Sequence, residues 1–160
     1  MEKWEEYKIN PENFYQVMSQ KMVGTATMDD KAPQELLGVT DEVLHHYYKA
    51  AIKLLDEHNW HDAKDAFTFL TFLNPLVHNF WVGLGIAEQS QSKFDEAILA
   101  YTMAEATDPN DPVPCANAYQ CGLAIHENDF AKYSLEKAIS LCGEHEEFAA
   151  LKAQLVPLHK

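Results

Sequence analysis

Eight histidines, three cysteines and twenty-five carboxylates are the side chains from which this sequence could build a metal site or an activated nucleophile. Their spacing argues against both. His58 and His61 stand three residues apart across an expected helix boundary, and His45 and His46 are adjacent, which on a helix aims them at different faces. Neither pair has a third ligand at a metal-binding spacing. Cys115, Cys121 and Cys142 form no C-x-x-C; an odd, sparse set of this kind reads as reduced thiols buried on helix faces. No nucleophile stands beside a base and no glycine-rich phosphate loop occurs. Glu144, Glu146 and Glu147 read as the solvated first turn of a helix, where the dipole favours them. The expectation is no catalytic residue, no metal and no cofactor.

The chemistry that remains is recognition. Tyr48, Ile52 and Leu55 are spaced i, i+4, i+7, a second apolar stripe beside the Tyr47, Ala50, Ala51 and Leu54 set that one packing face already requires. Val82 and Ile86 continue it with Gln89, and Ala116 and Leu123 continue it with Gln120. Together with Asn79 these residues predict a face with small apolar pockets for side chains and amides for a backbone, suited to an extended peptide. The alternative is that a terminal helix folds back and covers the stripe.

Internal repetition supplies the elements that must carry this face. Ala63, Ala97 and Ala131 recur every 34 residues, as do Phe67, Tyr101 and Leu135, and Leu70, Ala104 and Ala138. Pro75 and Pro109 close two units, and Gly143 stops the third. Thirty-four is the tetratricopeptide period, a helix–turn–helix unit. The middle unit matches its pattern at Trp81, Leu84, Gly85, Ala97, Tyr101 and Pro109, with Glu88 where tyrosine is expected. Gly85 and Gly122 are then expected at close helix crossings, and Gly83 beside the binding face, leaving room for a bound backbone.

The fold class predicted is all-α: an N-terminal segment over 1–40 with a helix from Pro11 to Val23, three repeats at about 44–77, 78–111 and 112–143, and a C-terminal solvating helix over 144–156 within a capping segment 144–160. Helices are expected at 41–58, capped by Thr40 or Asp41, and then at 60–73, 78–91, 94–107, 112–126 and 129–142. No stretch is long and apolar enough to span a membrane, and the charged start MEKWEEYKINPENF lacks a secretory leader's apolar core. The formal charge is −13 and all twelve basic residues are lysine. Acidity without arginine argues against nucleic acid and anionic membranes as partners. A two-carboxylate peptide clamp is disfavoured too, since Tyr48, Ile52, Gly83, Val113 and Asn117 stand where it would need cations.

The chain resembles the class II chaperones of type III secretion systems, small tetratricopeptide proteins that escort hydrophobic translocators. The resemblance rests on the N-terminal segment with Gly24-Thr25, on Ala63, Phe67, Phe69 and Leu70, on Trp81-x-Gly83-Leu84-Gly85 continuing to Phe94, Asp95, Ala97 and Tyr101, and on Pro112-Val113 with Gln120-Cys121. It covers roughly residues 14–155. It implies a bacterial cytoplasmic holder without ATPase activity that clamps a Pro-anchored translocator segment in its concave groove. It also implies homodimerisation through the N-terminal helix, for which Phe14, Val17 and Met18 are candidates. The groove candidates it implies are Tyr48, Ile52, Leu55, Asn79, Val82, Ile86, Gln89, Ala116, Gln120 and Leu123. Ile52 and Leu55 depart from the aromatics common in that family. A general tetratricopeptide adaptor is the other reading the sequence leaves open.

Overall fold

Thr40 starts the array. Its side chain accepts a hydrogen bond from the Val43 amide, and Asp41 and Glu42 occupy the first turn, where the helix dipole favours acid. The computed structural model describes residues 33–159. Its helices are α1 (Pro33–Leu36), α2 (Asp41–Asp56), α3 (Trp60–Leu73), α4 (His78–Ser90), α5 (Phe94–Thr107), α6 (Val113–Ala124), α7 (Asn128–Cys142) and α8 (Ala149–Leu155). Among the described residues there is no strand. The expected helix over 11–23, with Phe14, Val17 and Met18, lies outside the described residues.

Three helical hairpins, α2–α3, α4–α5 and α6–α7, follow the 34-residue phase. Tyr48 of α2 packs its ring 5.5 Å from that of Phe80 in α4, and Gln89 of α4 hydrogen-bonds Gln120 of α6. Lys137 of α7 pairs with Glu105 of α5. The first helices of the repeats therefore form one layer and the second helices another, the arrangement of a solenoid whose neighbours bury a continuous core. Ala63, Phe67, Leu70, Ala97, Tyr101, Ala104, Ala131, Leu135 and Ala138, the residues of the repeat phase, are all buried.

The glycines work differently from expectation. A Cβ at Gly85 would stand 2.4 Å from a ring carbon of Tyr101, so the close approach there is to an aromatic ring rather than to backbone. Gly83 does not open space for a ligand. It is buried, and a Cβ on it would stand 2.2 Å from a ring carbon of Phe67, which is itself 0% exposed. The helix-propensity cost of glycine, about 1 kcal/mol each, is offset by seating two large rings between layers. Gly122 meets its expectation: a Cβ there would lie 2.8 Å from Phe130 and 3.2 Å from the Ala131 α-carbon.

A further periodicity emerges at the turns. His58, Ser92 and His126, 34 residues apart, all hold left-handed backbone with φ of 59°, 60° and 62°. Each ends a first helix with the same pair of bonds, as in His58 N–H to the Leu55 carbonyl and Asn59 N–H to the Leu54 carbonyl. This is the double-bonded helix stop that usually employs glycine. The helix expected over 144–156 is broken instead into a 3-10 turn at Glu146–Phe148, α8, and a second 3-10 turn at Val156–Leu158. The break follows from Gly143, whose φ is 49°. Lys152 spans it, donating to the Gly143 carbonyl and to Glu144, whose carboxyl it holds below the usual range. Leu155 is buried with Leu135, Ala138 and Cys142 and closes the core.

Candidate peptide-binding face

The layer α2, α4 and α6 carries every groove candidate. At its first end, Tyr48 stands edge-on to Phe67, with ring centroids 6.2 Å apart, and tilted against Phe80. Ile52 and Leu55 lie on the same core cluster, half-buried, so each keeps apolar surface toward solvent. Val82 is half-buried as well, and Ile86 packs partly on the cluster of Ala97, Tyr101, Ala118 and Cys121.

At the second end the face is polar and internally bonded. The hydroxyl of Tyr101, a side chain 0% exposed, donates to Gln89 Oε1 at 2.6 Å. Gln89 Nε2 donates to Gln120 Oε1 at 3.1 Å. Burial pushes the Tyr101 hydroxyl far above the usual tyrosine range, nearby Cys121 adds to this, and a hydrogen bond from the Asn117 side chain opposes it. Gln120 is exposed, and Leu123 is 44% exposed beside it.

One candidate departs from its expected place. Ala116 is 5% exposed and packs with Cys115, Leu135, Ala138, Cys142 and Leu155, so it is a core residue rather than part of the open surface. Its small side chain lets α7 approach α6 closely enough to cover it. Asn79 is exposed at the start of α4 and lines a cleft with Asp108, Asp111, Val113, Ser140 and Phe148. His78 latches that corner: Nδ1 donates to the Ala104 carbonyl at 2.9 Å, and Nε2 lies 2.7 Å from Asp111 Oδ2. Among the described residues no cluster of histidine, cysteine and carboxylate could hold a metal. All three cysteines are buried free thiols, and burial pushes Cys115 to about 12 and Cys121 to about 11.

Sequence reasoning missed the parts of Phe80, Tyr101 and Asn117. Tyr101 was legible as a core residue by phase, and its hydroxyl was the unused signal, since a buried phenol needs a partner.

No protein-family model matches the sequence, and none of the curated proteins does. Solved structures do. The type III secretion translocator chaperone SycD of Yersinia enterocolitica is 24% identical with a TM-score of 0.75, over 81% of this chain and 96% of that one. SycD in complex with a peptide of the translocator YopD is 25% identical with a TM-score of 0.73, over 76% of this chain and 92% of that one. PcrH, known from Pseudomonas aeruginosa, in complex with the chaperone binding region of PopD is 24% identical with a TM-score of 0.75, over 76% and 92%. The resemblance read in the motifs holds at the level of the fold: this chain has the helical-repeat architecture of SycD and PcrH.

Proposed function

We propose that this protein is a translocator chaperone, holding an extended apolar segment of a hydrophobic client along the α2–α4–α6 face and keeping it soluble and fit for secretion. One observation carries the reading. Tyr48, Ile52, Leu55, Val82 and Ile86 are partly exposed apolar side chains on the same layer as the hydrogen-bonding amides, on the fold of SycD and PcrH. Covering them gains roughly 25 cal/mol per Å² of apolar surface removed from water. Ordering an extended segment costs part of that gain, so a short peptide is expected to bind at about micromolar strength.

The net charge of −13 suits a holder that must stay dissolved beside an apolar client. Among the described residues no helix is long and apolar enough to cross a membrane, and action in the bacterial cytoplasm is part of the proposal. The work is holding, not catalysis. Segment 1–40, through Phe14, Val17 and Met18, is proposed as a homodimer contact, the repeats as the binding unit, and 144–160 as the cap.

The test is fluorescence anisotropy with a labelled peptide carrying the chaperone binding region of PopD. The wild-type chain is expected to bind it. The double variant Ile52→Glu, Ile86→Glu, checked for an unchanged helical circular dichroism spectrum, is expected to bind about tenfold more weakly or worse. Equal binding by a folded variant would place the client elsewhere and overturn the reading.

A further inference from the structure

The polar end of the face has a direction. A phenol hydroxyl has one hydrogen to give. Tyr101 gives it to Gln89 Oε1 at 2.6 Å. Gln89 then turns its –NH₂ group toward Gln120, donating to Gln120 Oε1. Gln120 Oε1 is engaged by Gln89, and its –NH₂ group is the end without a bond inside the face. Among the described residues, the N–H groups left over are one on Gln89 and both on Gln120, at the exposed end of the chain of bonds. Were both amides reversed, the Tyr101 hydrogen would lose its acceptor inside the core, a cost that a side chain 0% exposed cannot relieve with water.

We propose that the α4–α6 end of this face recognises a carbonyl oxygen on the main chain of the held segment through Gln89 and Gln120, with Tyr101 as the positioning residue that fixes their donor direction. The inference rests on the function proposed above. The partner is a neutral acceptor because this end supplies donors without a cation: the candidates here are two amides, and the chain carries no arginine and a charge of −13. A carboxylate or phosphate would lack a counter-charge. An extended segment offers such carbonyls along its length, independent of its side chains. The first end would then select apolar side chains, and the second would read backbone.

Two measurements test this. In the free protein, side-chain amide hydrogen exchange by NMR should show one protected proton on Gln89 and solvent-like exchange for both on Gln120. Tyr101→Phe should release the protected Gln89 proton. In peptide titrations with the PopD chaperone binding region, Gln120→Glu, which keeps the shape but removes both donors, should weaken binding by about tenfold, and Gln120→Met by roughly threefold to fivefold. Tyr101→Phe should weaken binding by a few-fold and add little to Gln120→Glu, as expected for residues acting in one chain of bonds.

Gln120→Glu binding as tightly as wild type, or protected Gln120 protons in the free protein, would overturn the donor assignment. Wild type that fails to bind the peptide, despite the expected exchange pattern, would overturn the proposed function and this ligand with it. Wild type that binds while all three variants bind equally would overturn only this inference.

Discussion

The junction between the first and second repeats and the junction between the second and third are built from the same repeat positions with different chemistry. At the first, Phe67 lies against Gly83 and Tyr48, and Leu55 borders the same cluster. Thirty-four residues on, Tyr101 replaces Phe67, Gln89 replaces Leu55, Asn117 replaces Gly83 and Gln120 replaces Ile86. One buried hydroxyl has arrived together with the amides that satisfy it. A repeat scaffold thus changes its surface from apolar to hydrogen-bonding by exchanging a matched set. A single member moved alone leaves a polar group unpaired, which costs more than the bond contributes when complete.

The strongest way to break the comparison is at the glycine that seats Phe67. Gly83→Leu drives a side chain into a ring that is 0% exposed and cannot swing away. A loss of about 3 kcal/mol or more is expected from urea unfolding. Next is transplanting the hydroxyl alone. Phe67→Tyr should lose about 2 kcal/mol, because residue 55 is leucine and residue 83 glycine and neither side chain offers an acceptor. Adding Leu55→Gln should recover about 1 kcal/mol in a double-mutant cycle, and no recovery would break the idea of a matched set. The reverse change is milder. Tyr101→Phe should cost about 1 kcal/mol, since Gln89 and Asn117 are half-buried and can turn to water.

The smallest effect falls on a feature both junctions share. Ser92 has φ of 60°, where glycine carries no Cβ penalty. Ser92→Gly is expected to raise stability by roughly 0.5–1 kcal/mol, and a fall in the thermal midpoint would show that the serine side chain contributes something of its own.

Much of this was readable in advance. The 34-residue phase of alanine, aromatic and leucine gave the hairpins, and the observed helices start and stop within two residues of expectation, C-terminal segment aside. That segment failed because Gly143 turns the chain at φ 49° and a 3-10 turn follows before α8. The positive-φ stops at His58, Ser92 and His126 escaped notice because the usual marker is glycine and none of the three is glycine. Glu88, an evident departure in the sequence, leaves its Oε2 buried without a hydrogen-bond partner among the described residues.

What the sequence determined by itself is the set of elements and the apolar face of each, because helical periodicity records which side of a helix avoids water. It could not say that Ala116 is covered while Leu123, about two turns beyond it, is 44% exposed. Nor could it say that Gly83 serves Phe67 rather than a ligand. Those depend on where neighbouring helices cross. The bonded chain of Tyr101, Gln89 and Gln120 joins residues 12 and 31 positions apart. Hydrogen bonds need angles and distances within a few tenths of an ångström, and only the packing of the two layers brings three side chains to that accuracy.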